Sequence, residues 1–306
     1  MLRAACSMIV VGAVLLSAPP SSATRTVAAA EPQPLNLTAW HNKRLLVIGA
    51  HPDDAEGFAG GLIAELQRLR DSGGANVTVS YLVVTNGNAG GKCYNASGHY
   101  RPATYACENE ELAFLRRQEM KAAGASLGVN DVRRLGLDDG LSLGVQETRI
   151  RRALTAVVRS VKPHIILTHQ PFPNFAAPPT CNGACPAPHN FDDLGYHPDH
   201  QAIGLHVFNS AYGGGAAIDN DRLFEDLEPE LPGWKYLEQL YFFAVTQSSF
   251  QPLTHFVQLN DGLLKSKAYA SSLHRSQYAD LPLAQQRFVA EQAGEAAGVP
   301  LAEGFT

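Results

Sequence analysis

The chain has 306 residues, of which 45% are hydrophobic and 17% charged, with a formal net charge of −5. That apolar fraction can bury a large core, and the length suits one α/β unit. The mild negative balance, without any block of Lys or Arg, excludes a phosphate-backbone track and argues against a nucleic-acid partner.

Residues 1–30 read as a signal peptide and leader. Arg3 precedes an apolar run over 8–16 that ends at Ser17-Ala18-Pro19-Pro20. The run is too short to span a bilayer and has the length of a signal-peptide core, with cleavage near Ala23 or Ala30. A flexible lead-in over 31–43 and a single folded unit over 44–306 would follow. The expectation is a secreted or secretory-pathway protein without a stable membrane span, an uncleaved membrane anchor being the alternative. Outside the leader remain Cys93, Cys107, Cys181 and Cys185, an even number that suggests two disulfides in an exported chain. Of the three possible pairings, Cys93 with Cys107 and Cys181 with Cys185 is preferred, because each pair brackets one Pro/Gly/Asn-rich loop. Asn36, Asn76 and Asn95 begin N-x-S/T triplets, which is compatible with that route.

The first folded element expected is a strand over 44–50 (RLLVIGA), a continuous apolar run that suits a parallel strand covered on both faces. A helix over 57–71 follows, with Leu62, Leu66 and Leu69 at spacings of four and three. A β-branched strand covers 77–85, a long loop 86–107, a second helix 109–127 and a third strand 132–137. A third helix spans 147–161, and Pro163 precedes a strand over 164–169 (HIILTH). After an irregular insertion over 170–196 come strands near 240–245 and 256–259 and two helices from Asp261 onward. Alternation of this kind predicts a Rossmann-like three-layer α/β/α fold with a mostly parallel sheet and long loops at one rim. The active site of such a sheet lies beyond the carboxyl ends of its strands.

Two stretches at that rim carry chemistry. Residues 50–57 read AHPDDAEG, directly after the first strand; residues 197–200 read HPDH, after the fourth strand and its loop. Read singly, His-Pro-Asp is a turn or helix-start signal with Asp as a cap. Together on one rim, they can offer two imidazole nitrogens and a carboxylate oxygen to one metal ion with a position left open, as in catalytic zinc sites. Amide hydrolysis there also needs a base for water and a donor for the developing oxyanion. The two stretches contain groups for each role.

Four separated pieces resemble the PIG-L/LmbE-like N-acetylglucosaminyl deacetylases: AHPDDAEG at 50–57, RRQE at 116–119 with LGV at 127–129, HPDH at 197–200, and Lys267 with HRSQ at 274–277. The resemblance implies His51, Asp54 and His200 as ligands of Zn2+ or another divalent metal, and Asp53 as the general base that activates water. It implies His197 as the group that stabilises the oxyanion, with Asp199 orienting it. Arg116 corresponds to a substrate-binding or site-organising position, with Glu119 as its pair. His274, Ser276 and Gln277 are expected to pack the last part of the chain near the sheet. Tyr94, Tyr100, Phe172, Phe175 and Tyr196 could stack on a sugar or form small loop cores. The implied function is removal of an N-acetyl group from an N-acetylglucosamine-containing conjugate, oligosaccharide or glycolipid. The alternatives are a zinc amidase or esterase acting on a non-sugar acyl group, and a non-catalytic carbohydrate-binding relative.

Overall fold

The hexapeptide RLLVIG places Leu45, Leu46, Val47 and Ile48 in succession, and all four side chains are wholly buried. A strand can do this only if both faces of its sheet are covered. The computed structural model describes residues 31–91, 109–140, 147–171, 197–212, 217–220, 224–227, 230–244, 253–278 and 282–306. Residues 31–306 form one compact unit.

In chain order the elements are β1 (Gln33–Pro34), β2 (Arg44–Gly49), α1 (Asp54–Asp71), β3 (Thr78–Thr85), α2 (Asn109–Ser126), β4 (Asp131–Leu137), α3 (Glu147–Val161) and β5 (Ile165–Thr168). They continue with α4 (Pro198–Ala211), β6 (Gln239–Phe242), β7 (His255–Gln258), α5 (Asp261–Ser272), α6 (Pro282–Ala297) and β8 (Ala302–Phe305). Five strands form a sheet in the order β4-β3-β2-β5-β6, and every pairing in it is parallel. The period-2 pleat sends Leu45 and Val47 into one core, shared with α1 and α5. It sends Leu46 and Ile48 into a second core, shared with α3 and α4. The result is the three-layer, mostly parallel α/β architecture expected from the sequence.

The winding moves outward from β2 to β3 and β4 on one side and from β5 to β6 on the other. The carboxyl ends of β2 and β5 therefore flank the switch point, where open α/β sheets place their crevice.

Residues 31–43 depart from the flexible lead-in expected of them. Leu37 and Trp40 are buried in the core with β2, and β1 pairs in parallel with β7. Leu37 and Trp40, spaced by three, join the core shared by β2 and α1, and their burial offsets the cost of ordering the chain. Two further strands, β1 and β8, join β7 in a small second sheet. Their short sequences carry little periodic signal. The helix expected from Gly57 begins three residues earlier, at Asp54.

A buried ion pair fastens β8 to α1. Lys267 Nζ donates to Glu303 Oε1 at 2.6 Å, and the same carboxylate accepts from the backbone N–H groups of Gly61 (2.8 Å) and Leu62 (2.6 Å). Gly60 and Gly61 permit this approach, since a Cβ at Gly61 would lie 2.6 Å from Leu259 and 3.0 Å from Glu303 Cδ. Breaking a buried pair by neutralising one partner costs about 3–5 kcal/mol. Glu303→Gln should therefore lower the unfolding free energy by about that amount in a urea titration, and a loss below about 1 kcal/mol would show that the pair contributes little.

Candidate active site

Asp53 and Asp54 stand at the start of α1, and their side chains go in opposite directions. The Asp53 carboxylate makes no capping hydrogen bond to the helix, although the residue occupies the N-cap position. It pairs instead with the Arg116 guanidinium. Asp54 folds back, so that its Oδ2 accepts from the His51 N–H at 2.7 Å. Gly49 makes room for this, because a Cβ there would meet Asp54 Cβ at 2.8 Å.

HPDH closes the site from the other side. His197 N-caps α4, its Nδ1 accepting the Asp199 N–H at 3.2 Å, with Pro198 in the first turn. The helix-start reading of this motif is thus correct, and the same turn also delivers His200 to Asp54 and His51. His200 Nε2 lies 3.0 Å from His51 Nδ1 and 3.2 Å from Asp54 Oδ1, and His51 Nδ1 lies 3.8 Å from Asp54 Oδ2.

The two contacts to Asp54 use different oxygens. Among the described residues, the sets whose ligand atoms lie within 4.8 Å of one another are His51, His197 and His200; Asp54, His169 and His200; and His51, Asp139 and Asp199, three overlapping groups linked through His200 and His51. Two imidazole nitrogens and a carboxylate facing one another are an arrangement that a bound cation relieves. The electrostatics agree. Burial alone would lower the His51 pKa, but the carboxylates of Asp199, Asp54, Asp139 and Asp53 outweigh it and hold it at about 9. A field that retains a proton so strongly also favours a divalent cation. The donor set fits zinc or a similar ion.

Asp199 meets two imidazoles, the expected His197 and, more closely through its carboxylate, His51. Its Oδ2 is 3.2 Å from His51 Nε2 but 3.9 Å from His197 Nδ1, and it also accepts the Gly140 N–H at 2.9 Å. The His197 ring nitrogen nearest this carboxylate is already occupied by the Asp199 backbone N–H, which leaves the carboxylate to His51. With Nδ1 turned to the ligand cluster and Nε2 to Asp199, His51 has the carboxylate-imidazole support typical of metal ligands.

Arg116 lies inside the site, against Asp53. It is buried, and it donates to the Gly87 carbonyl at 2.9 Å and the Gly90 carbonyl at 3.3 Å as well as to Asp53. Gly87 is obligatory here. Its φ is +65°, and a Cβ would sit 2.5 Å from the guanidinium. Glu119 does not pair with Arg116; it accepts from the Ser276 N–H at 2.8 Å and the Ser276 hydroxyl at 2.6 Å. Ser276 thereby ties the segment after α5 to α2. His274 does the same for α1, its Nε2 lying 3.1 Å from Glu56 Oε2.

Burial opposes the charge on Asp53, yet the Arg116 guanidinium beside it holds the carboxyl below its ordinary value. Burial likewise opposes ionisation of Asp54, and His200 and His169 hold it well below.

Two contributors carry no motif signal. His169, at the end of β5, has Nε2 2.9 Å from Asp54 Oδ2 and 3.1 Å from the Ala50 N, and its ring stacks on His200 at 4.0 Å. Burial and the neighbouring His200 lower its pKa to about 4, so it is neutral at neutral pH. Tyr278 follows HRSQ, and burial together with the charges of Asp53 and Asp54 pushes its hydroxyl well above its ordinary value. A histidine closing the strand next to β2 was the available hint for the first; nothing in the sequence singled out the second.

Cys93, Cys107, Cys181 and Cys185, with the loop aromatics Tyr94, Tyr100, Phe172, Phe175 and Tyr196, lie outside the described residues.

The family model for PIG-L, GlcNAc-PI de-N-acetylase, matches residues 46–178. The chain is 28% identical over 170 residues to "Probable N-acetyl-alpha-D-glucosaminyl L-malate deacetylase 2" of Bacillus subtilis (strain 168), covering 56% of this chain and 61% of the relative. It thus spans less than two thirds of that relative's length. An N,N'-diacetylchitobiose deacetylase from Pyrococcus horikoshii superposes with a TM-score of 0.65 at 24% identity, over 86% of this chain and 83% of the other. A 4-carboxy-2-hydroxymuconate hydratase from Pseudomonas putida KT2440 superposes with a TM-score of 0.57 at 21% identity, over 86% and 95%. The fold therefore hosts more than one chemistry.

The comparisons overturn the expected export. The deacetylases that the chain resembles are named for small sugar compounds, a malate glycoside and a disaccharide, and they give a secretory location and its disulfides no support. The leader segment that suggested it, residues 1–30, lies outside the described residues. No helix among the described residues is long and apolar enough to cross a membrane.

If the cluster holds a metal, Asp54→Ala and His200→Ala should abolish stoichiometric divalent-cation binding in competition with a chromophoric chelator. His169→Ala should weaken it about 10–100-fold, as loss of a ligand-supporting contact does. Undiminished affinity in His200→Ala would contradict the assignment. Motifs, fold and sequence likeness together make the chain similar to the PIG-L/LmbE-like N-acetylglucosaminyl deacetylases, the family model covering residues 46–178.

Proposed function

We propose that the protein is a metal-dependent N-deacetylase that hydrolyses the acetamide of an N-acetylglucosamine-containing substrate. The observation that carries this reading is the convergence of His51, Asp54 and His200 beside a separately ionised Asp53 in one cleft. His51, Asp54 and His200 would hold the ion, and zinc is the metal best matched to two imidazoles and a carboxylate. When bound, such an ion polarises an amide carbonyl and makes water acidic.

The residues supply the rest. Asp53, kept ionised by Arg116, takes the proton of the water that attacks the acetyl carbon. The Arg116 contacts to Gly87 and Gly90 fix its guanidinium, so that Asp53 cannot swing into the ligand cluster. His197 accepts the Asp199 N–H at Nδ1, so in its neutral form the proton resides on Nε2. From there it donates a hydrogen bond to the carbonyl oxygen as negative charge develops, and Asp53 passes the proton it took from water to the departing amine. Asp199 holds His51 in the tautomer that presents Nδ1 to the ion. Tyr278 stays protonated against Asp53 and gives that carboxylate a neutral neighbour.

Acetate release from N-acetylglucosamine derivatives should far exceed that from simple esters and acyl amino acids. The reverse order would favour a non-sugar amidase or esterase, and no release from any substrate would favour a carbohydrate-binding relative. Asp53→Asn should retain the metal and lose about 10²–10⁴-fold in kcat; near wild-type turnover would remove Asp53 as the base. Arg116 lowers the Asp53 pKa, so its removal must raise it. The acid limb of the kcat/KM profile in Arg116→Met should accordingly move to higher pH, and an unmoved limb would break the link between the two residues.

A further inference from the structure

Two of the sequence motifs, RRQE and HRSQ, close a ring of contacts on one another. Arg116 and Glu119 stand three residues apart on α2, so both side chains leave the same face of the helix. Glu119 holds Ser276 twice, through its N–H and its hydroxyl. That anchors the next residue, Gln277, whose Nε2 donates to the Gly90 carbonyl at 2.8 Å. The same carbonyl accepts from Arg116 Nη1 at 3.3 Å, which returns the ring to α2.

The segment 87–91 is shaped to receive both donors. A Cβ at Gly87 would strike the Arg116 guanidinium, and one at Gly91, where φ is +144°, would sit 2.5 Å from Gln277 Nε2. On its other side the Ala89 N–H donates to Asp139 Oδ2 at 3.1 Å. Arg116 is thereby placed by the carbonyls of Gly87 and Gly90 and the carboxylate of Asp53. The Gly90 contact is the longer of its two carbonyl contacts, and Gln277 is the second donor that keeps this oxygen in place.

We propose that Gln277 is a positioning residue for Asp53, the general base of the deacetylase reading on which this role rests. It acts through the Gly90 carbonyl and the Arg116 guanidinium, although its own side chain also lines the cleft. The R-x-x-E and S-Q spacings are then two halves of one brace. Tyr278, the next residue, reaches Asp53 by a separate route, directly through its hydroxyl.

The test measures acetate release from N-acetylglucosamine by Gln277→Met, which keeps the side-chain length and removes the donor. The substitution is made alone and combined with Arg116→Met or Tyr278→Phe. Alone it should lower kcat about three- to tenfold, the size of one neutral hydrogen bond, and leave KM within about twofold. Zinc affinity and thermal unfolding should stay close to wild type, since Gln277 is half-buried and no ligand is changed. In the Arg116→Met background the same substitution should change kcat by less than about 1.5-fold, because the group it positions is gone. In the Tyr278→Phe background it should cost as much as in wild type. Gln277→Asn, whose amide is too short to reach Gly90, should repeat these results and stands in if Gln277→Met misfolds. An equal loss in wild type and Arg116→Met, a loss that vanishes only with Tyr278→Phe, or a raised KM with kcat intact overturns the positioning role and leaves the deacetylase reading standing. Absence of acetate release by the wild-type protein from any N-acetylglucosamine derivative overturns both.

Discussion

Neighbouring strands β2 and β5 wind onward in opposite directions, and the gap left at their carboxyl ends has to be filled by whatever the chain places there. Here it is filled by charge. His51 and Asp54 leave β2, His169 ends β5, and α4 returns with His197, Asp199 and His200. Burying so many carboxylates and imidazoles together is costly unless each is paired, and a divalent cation is a group that would compensate them. Burial opposes a charge on His51, yet the surrounding carboxylates hold its pKa up at about 9. The rest of the structure keeps these groups from separating.

That supporting structure is extensive and largely remote from the motifs. The start of α1 is held by Glu56 on His274, and its middle by Glu303 with Lys267. α2 is tied by Glu119 to Ser276. Each tie joins the central sheet's helices to the carboxy-terminal part of the chain, beyond the span matched by the family model. The two adjacent carboxylates of the first motif can differ in role because their partners differ. Asp54 faces imidazoles, while Asp53 faces a guanidinium whose own position depends on a glycine at residue 87.

Much of this was legible in the sequence. The continuous apolar run Leu45-Leu46-Val47-Ile48 and the alternation that follows it imply a doubly covered parallel sheet, and the placement of HPDD and HPDH after strands implies a shared rim. The partners of Asp199, Arg116 and Glu119 were not legible, because spacing along a chain specifies which face a residue occupies and not which of several nearby groups it meets. His169 and Tyr278 act only through tertiary contact with Asp54 and Asp53. β1 and β8 are too short for periodicity to reveal, and their place is decided by core packing around Leu37, Trp40 and Phe305.

The central claim is that one ion is shared by residues from both sides of the switch point. Crystals grown with zinc and measured at its absorption edge address this directly through the anomalous difference map. The account predicts one peak in bonding contact with His51 Nδ1, Asp54 and His200 Nε2 together. A peak that engages His51 and His200 at separate positions, or that lies away from Asp54, would contradict it.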